Sequence, residues 1–252
     1  MLFAHGFGCD QHMWRFVAPP FEDRYRIVLF DHIGCGGSDA SSWDPLEYSA
    51  LDRYADDVIE IIDELDLGPT VFVGHSVSAM MGVVASIRRP ELFAGLVLIG
   101  PSPCYVNDRG SGYVGGFEAS DIDGLIESLD NNYLGWSRSM APVITAHDDR
   151  PELAAELAEA FCRVEPSIAR QFARVTFLSD NRDDLDAVSV PTTILQCTED
   201  AIAPTEVGDY VHERIPDSRL VHIDTAGHCP HLSDPEPTAA AIGRFLEQIS
   251  HA

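Results

Sequence analysis

Short runs of apolar residues, each closed by glycine or an acidic residue, recur along the chain and predict a parallel β-sheet. Strands that are buried on both faces read as continuous apolar runs rather than as alternating patterns. The predicted strands are residues 2–4, 25–30, 70–74, 96–99, 192–197 and 219–223. The run 25–30 is nearly all apolar, which predicts a central strand.

Between these strands, apolar residues recur at spacings of three and four, which is typical of amphipathic helices. The clearest case is residues 52–65, which end before Gly68 and Pro69. Further helices are predicted from residue 77 to Arg89 and over residues 205–214 and 234–249. Alternating strands and helices predict an α/β fold, a mostly parallel sheet with helices on both faces.

The pattern of apolar residues changes between residues 101 and 186, where helical spacing dominates and no β-branched run occurs. Four helices are predicted there, over residues 121–129, 131–146, 151–164 and 166–178. Pro151 and Pro166 suit first helical turns. The pattern predicts a helical lid of residues 101–186 inserted into a core formed by residues 1–100 and 187–252.

The charge of the chain narrows the kinds of binding partner that we expect, and its cysteines narrow the cellular compartment. The formal net charge is −25 and the sequence pI is about 4.4, which argues against nucleic acid or an anionic membrane. The six cysteines occur singly, without CxxC pairs, which favours reduced thiols in a cytoplasmic protein over disulfides or a metal site. We expect no signal peptide, no membrane span, no metal and no cofactor.

The stretch from residue 70 to residue 82 carries the first candidate chemistry. An apolar run ends at Gly74, and Ser76 follows where a helix begins, as in a nucleophile elbow. Ser78 stands where such elbows usually have a second glycine. The amide of Val77 would then be available to stabilise an oxyanion. A serine that only caps the helix is the alternative.

A glycine-containing loop, residues 5–8, follows the first predicted strand. In hydrolases with an elbow this loop supplies a second oxyanion donor, here the amide of Phe7. A simple tight turn is the alternative. Asp31, at the end of the 25–30 run, is expected to bind loop amides rather than to react.

Two more residues complete a constellation with Ser76. Asp200 and His228 each follow a predicted strand, and the order Ser, Asp, His is the order of α/β-hydrolases. His228 has the pKa range of a general base, and Asp200 would orient its imidazole. Competing residues are considered less suitable: Glu199, Asp224, His231, His5 and His75.

Six segments resemble α/β-hydrolases of the RsbQ type, bacterial regulators of the energy-stress response, and the related plant strigolactone and karrikin receptor hydrolases. They are residues 5–11 (HGFGCDQ), 74–80 (GHSVSAM), 86–93 (SIRRPELF), 101–105 (PSPCY), 168–173 (IARQFA) and 227–231 (GHCPH). The resemblance implies an α/β-hydrolase core, a V-shaped lid of four helices and a small hydrophobic pocket above the triad. The implied pocket residues are Phe7, Tyr105, Phe117, Leu125, Trp136, Met140, Leu157, Phe177 and Ile202.

The start of the chain departs from this family. Members begin with two more strands, whereas this sequence opens at what corresponds to their third. Either the coding start is placed too late or these strands are missing. If they are missing, the run 25–30 becomes a sheet edge, which favours pairing with a second chain. We therefore expect a monomer or a weak dimer.

Two functions follow from these observations. The first is a serine hydrolase that cleaves a small hydrophobic ester or lactone through an acyl-enzyme. The alternative, implied by the resemblance, is a signalling protein that binds or slowly processes a small hydrophobic ligand and activates a sensory phosphatase partner. A receptor and an esterase can share every catalytic residue, so the sequence leaves both open.

Overall fold

Parallel strands form a single sheet in the computed structural model, which describes residues 1–250. Its strand order is β2-β1-β3-β4-β5-β6, and every neighbouring pair is parallel. The strands are β1 (Leu2–Ala4), β2 (Val28–Phe30), β3 (Thr70–His75), β4 (Phe93–Ile99), β5 (Thr192–Glu199) and β6 (Ser218–Ala226). Because all the strands run one way, their carboxyl ends meet along one edge of the sheet.

Helices cover both faces of this sheet. They are α1 (Leu51–Glu64), α2 (Val77–Arg88), α3 (Ala119–Asn131), α4 (Tyr133–Thr145), α5 (Pro151–Arg163), α6 (Pro166–Leu178), α7 (Thr205–Arg214), α8 (Pro230–Ser233) and α9 (Pro235–Ile249). Alternate residues of β3 enter two separate hydrophobic cores. Phe72 packs with residues of α1 and α2, whereas Val71 and Val73 pack with residues of α9. The predicted α/β architecture is confirmed.

The prediction of a central strand at residues 25–30 is wrong, whereas the alternative that this run becomes a sheet edge is confirmed. Only Val28–Phe30 form β2, and this strand lies at the edge of the sheet, with Val28 beside Leu2 of β1. The apolar run arises because both of its faces are partly covered by other elements. Phe30 packs into the core of α1 and α2, and Leu29 packs into the other core. An apolar run indicates that other elements cover the faces of a strand. It does not show how many strands lie beside it.

Helices α3 to α6, residues 119–178, lie between β4 and β5 and are called the helical insertion below. Their observed ends lie within two residues of the predicted ones. The start of α3 is two residues earlier than predicted because Glu118 and Asp121 form a reciprocal capping box.

All six cysteines, which fall within the described range, are free thiols. Among residues 1–250, no helix is both long enough and apolar enough to cross a membrane.

Candidate active site

Ser76 lies at the sharp turn between β3 and α2. Its backbone adopts φ 57° and ψ −124°, a conformation that costs free energy for any residue with a side chain. The amide of Ser76 donates to the carbonyl oxygen of Ile99 on β4 at 2.8 Å, which holds the turn against the sheet. At Gly74, a Cβ atom would lie 2.6 Å from the carbonyl oxygen of Ser78, so only glycine lets strand and helix pass this closely.

Ser78 has a role that its small size alone did not predict. Its buried hydroxyl donates to the carbonyl oxygen of His5 at 2.5 Å and accepts from Nε2 of His32 at 2.8 Å. These bonds connect the first turn of α2 to the loop that follows β1. A glycine at this position could not make them, so the departure from the usual elbow pattern has a structural reason.

The structure brings Ser76, His228 and Asp200 together at the carboxyl ends of β3, β6 and β5. Nε2 of His228 lies 2.9 Å from Oγ of Ser76, and Nδ1 lies 2.7 Å from Oδ2 of Asp200. The other carboxylate oxygen of Asp200 accepts from the amides of Ile202 at 2.8 Å and Ala203 at 3.1 Å. All three side chains are buried. Such an arrangement can transfer the serine proton to the imidazole while the carboxylate stabilises the imidazolium.

Three of the competing residues have other surroundings. Glu199 and Asp224 are exposed to solvent. His231 is fully buried between the rings of Trp14 and His75, with centroids 4.7 Å and 4.3 Å away. Asp31 accepts hydrogen bonds from loop amides, those of Gln11 at 2.7 Å and Gly37 at 2.9 Å, as its position predicted.

The two predicted oxyanion donors, the amides of Phe7 and Val77, belong to segments next to Ser76. Val77 is the first residue of α2, so its amide has no acceptor within the helix and points from the positive end of the helix dipole. Phe7 follows Gly6, whose backbone lies so close to Ser76 that a Cβ on Gly6 would be 3.3 Å from Cβ of Ser76. Both predicted oxyanion donors therefore come from segments that adjoin the serine.

A small cavity of about 40 Å³ lies above Ser76 and His228. Among the predicted pocket residues, those that line it are Phe7, Tyr105, Leu125, Trp136, Met140, Leu157, Phe177 and Ile202. The cavity is also lined by residues that the sequence pattern did not predict: Cys9, His75, Ile144, Phe161, Thr176 and Cys229. Ile144 and Phe161 could have been found, because each lies four residues after a predicted pocket residue on the same helix face.

Phe117 is a correction to the predicted pocket. It does not line this cavity but lies behind Tyr105, with ring centroids 6.5 Å apart. Its backbone pairs with the segment of Tyr105, since the amide of Phe117 donates to the carbonyl oxygen of Tyr105 at 3.1 Å. This local pairing fixes Phe117 as support for Tyr105.

Burial keeps one phenol and two thiols of the cavity wall uncharged. It raises the pKa of Tyr105 to about 12, an effect that the Ser76 hydroxyl partly opposes. It also raises the pKa of the Cys9 and Cys229 thiols above their ordinary range. Thiolates, not thiols, are the reactive form of cysteine, so these two lining residues are poor nucleophiles at neutral pH.

One cluster has the composition of a metal site. Ligand atoms of His75, Cys229 and His231 lie within 4.8 Å of one another, and all three residues are buried. However, Nε2 of His75 already donates to the carbonyl oxygen of His228 at 2.8 Å. Its Nδ1 faces Gly6, where a Cβ would lie only 2.6 Å away. Nδ1 of His75 and both ring nitrogens of His231 have no hydrogen-bond partner, so only Nε2 of His75 would have to give up a bond to hold a metal. The rings of His75 and His231 pack against each other with centroids 4.3 Å apart, and we assign no metal to this cluster.

Comparison with known proteins places the chain among related sequences. The sequence model of the alpha/beta hydrolase family matches residues 1–241. A karrikin insensitive 2 receptor from Petunia hybrida is 40% identical over 252 residues, which is 100% of this chain and 92% of the relative. A strigolactone esterase from Pisum sativum is 39% identical over 249 residues, covering 98% and 92% of the two chains.

Among solved structures, a hydrolase from Oleispira antarctica superposes with a TM-score of 0.94 at 41% identity. The match covers 98% of this chain and 90% of that one. These similarities confirm the resemblance and the fold class that the sequence motifs predicted.

Proposed function

The chain belongs to the alpha/beta hydrolase family, and we propose that it is a serine carboxylic ester hydrolase that cleaves a small hydrophobic ester or lactone. The observation that carries this proposal is the hydrogen-bonded series Ser76–His228–Asp200 at the base of an apolar cavity. Residues 101–186 act as the lid over a core of residues 1–100 and 187–252.

In the acylation step, Oγ of Ser76 attacks the substrate carbonyl carbon while Nε2 of His228 takes the hydroxyl proton. The amides of Phe7 and Val77 stabilise the resulting oxyanion. When this intermediate collapses, the ester C–O bond breaks and His228 returns the proton to the departing alkoxide. In a lactone, that alcohol stays attached to the acyl group on Ser76. A water molecule, deprotonated by His228, then releases the acid and restores Ser76.

The lining residues support a compact, uncharged substrate. Most are aromatic or aliphatic, and the phenol of Tyr105 and the thiol of Cys229 are uncharged. A charged substrate would lose its hydration without gaining a partner of opposite charge. We therefore expect the natural ligand to be a small hydrophobic ester or lactone.

The alternative of a signalling protein with a sensory phosphatase partner is the less favoured of the two hypotheses. The relatives at 39–40% identity include a protein named as an esterase, and the solved relative at 41% identity is named as a hydrolase. The six free thiols support a cytoplasmic location. We retain a monomer or a weak dimer as the expected assembly.

The proposal can be tested by labelling with a fluorophosphonate probe, which reacts with serines activated by a neighbouring base. Intact-protein mass spectrometry should show one adduct, mapped to Ser76 by peptide analysis and abolished in Ser76→Ala. Hydrolysis of p-nitrophenyl acetate should be lost in the same variant. Equal turnover by Ser76→Ala and the wild type would reject the proposed function.

A further inference from the structure

We propose that His75 is a positioning residue for the catalytic base, holding the backbone of His228 so that its imidazole meets both Ser76 and Asp200. This inference rests on the proposed function and adds a residue to its machinery. His75 does not touch the proposed path of the reacting proton. It acts through the peptide group of His228.

The first observation is a long-range hydrogen bond. Nε2 of His75 donates to the carbonyl oxygen of His228 at 2.8 Å, across 153 positions of sequence. On the other side, the amide of His228 donates to the carbonyl oxygen of Ile144, at the end of α4, at 2.7 Å. His228 follows β6 in a loop, so these two bonds replace the support that a regular strand or helix would provide. Of the two, only the bond from His75 comes from a side chain.

The second observation concerns the other side of the same ring. Nδ1 of His75 faces Gly6, where a Cβ would lie 2.6 Å away, and Phe7 follows directly. The ring therefore lies between the peptide of the base and the loop that carries a predicted oxyanion donor. It is also next in sequence to Ser76. The side chain of His75 therefore adjoins both the peptide group of His228 and the loop that carries the predicted oxyanion donor.

The third observation is charge. The ring centroids of His75 and His228 are 5.0 Å apart, so a second cation here would oppose the imidazolium that forms on His228 during catalysis. Burial holds the pKa of His75 well below its usual range, and the neighbouring histidines His228, His231 and His5 lower it further. Hydrogen bonding to the His228 backbone acts in the opposite direction. A neutral histidine with its proton on Nε2 can orient the base without adding charge.

The test compares substitutions that keep or remove the donor. In His75→Gln, the amide nitrogen reaches about as far as Nε2. His75→Met keeps similar bulk without a donor. The control is His231→Met, an equally buried histidine that packs against His75 but does not line the cavity. Kinetics with p-nitrophenyl acetate and thermal melts would be recorded for all four proteins.

We expect His75→Met to lower kcat about 10- to 100-fold, because a misplacement of about 1 Å costs rate on this scale. KM should change less than about threefold, since methionine keeps similar bulk at this single lining position. His75→Gln should recover most of kcat. His231→Met should lower the melting temperature while kcat stays within about twofold. A wild-type kcat in His75→Met, or equal losses in folded Met and Gln variants, would overturn the proposal.

Two further measurements keep the test decisive. If His75→Met fails to fold, His75→Asn replaces it, because its shorter amide cannot reach the carbonyl oxygen of His228, and kcat should again fall relative to Gln. The strongly deshielded proton shared by His228 and Asp200 can be followed by NMR without any substrate. Its resonance should persist in His75→Gln. It should broaden or vanish in His75→Met, or in His75→Asn where that variant replaces it. Persistence there would overturn the positioning role even if Ser76 proved inactive toward esters, a separate failure of the proposed function.

Discussion

The floor and the roof of the cavity above Ser76 are built in different ways. The floor, residues Ser76, His228, Asp200 and the loops that support them, is polar and joined by hydrogen bonds. The bonds from His228 to Ser76 and Asp200 are 2.9 Å and 2.7 Å long, and loop amides fix the free oxygen of Asp200. The hydrogen-bonded atoms of Ser76, His228 and Asp200 tolerate little displacement, because a hydrogen bond weakens steeply with distance and angle.

The roof, formed by the residues of the helical insertion that line the cavity, is held by packing. Phe7 forms the centre of an aromatic cluster. Its ring centroid lies 5.5–6.1 Å from four others, those of Trp136, Phe161, Phe172 and Phe177. No single pair defines this wall, since apolar contacts are individually weak and collectively large. We infer that changes in the floor act on the chemical step, whereas changes in the roof alter selectivity by degrees.

The largest effect should follow from removing the nucleophile or the base. Ser76→Ala and His228→Ala should each lower kcat for p-nitrophenyl acetate by about 10⁴-fold or more, and the double variant should be little worse because these residues act as a unit. Circular dichroism and thermal melts would verify the fold. Additive losses in the double variant would contradict a single catalytic series.

The next effect distinguishes two neighbouring acids at the end of β5. Asp200→Asn should lower kcat by about 10³- to 10⁴-fold, because the amide would favour the wrong imidazole tautomer. Glu199→Gln, one position earlier and exposed, should remain within about twofold. The reverse result in steady-state kinetics would mean that the floor uses the other carboxylate.

A smaller and graded effect is expected in the roof. Trp136→Ala should raise KM for p-nitrophenyl acetate by up to about tenfold and relax selectivity against longer acyl chains, because removing the ring enlarges the cavity. kcat for acetate should change less than KM. In the wild type, acetate and butyrate should be cleaved better than a long-chain ester. Unchanged kinetics of Trp136→Ala across acyl chain lengths would show that this ring does not shape the site.

The last effect concerns stability rather than rate and arises in the buried histidines of the floor. Burial lowers the pKa of His5, His32 and His75, and that of His231 to about 3. The unfolded chain takes up these protons near pH 6.5, so the contribution to stability is complete above that pH. It declines as the pH falls toward the folded pKa values, by about 1.4 kcal/mol per pH unit for each histidine.

Urea unfolding at pH 7, 6 and 5 would measure this decline. His231→Met should be less stable than the wild type at pH 7. Its free energy of unfolding should fall less steeply with decreasing pH, because one buried histidine no longer contributes to the decline. A wild-type free energy of unfolding that does not change between pH 7 and pH 5 would contradict the buried, neutral histidines.

Several features of the molecule follow from neighbouring residues alone. The strand, sharp turn and helix around Ser76 were predictable because turn chemistry and apolar periodicity are properties of consecutive residues. The approach of Asp200 and His228 to Ser76 was predictable for a second reason. Parallel strands end at one edge of the sheet, so residues that follow different strands are brought together there. The four helices of the insertion were predicted for the same local reason.

Other features depended on which elements pack together. The apolar run around β2 did not reveal its edge position, because coverage of its faces by other elements produces the same pattern as a central strand. Phe117 was assigned to the pocket with Tyr105, yet backbone pairing holds it behind that residue. The bonds of Ser78 to His5 and of His75 to His228 span 73 and 153 positions. Such contacts depend on the relative placement of strands, loops and helices, which no local pattern encodes, and only the tertiary structure decides them.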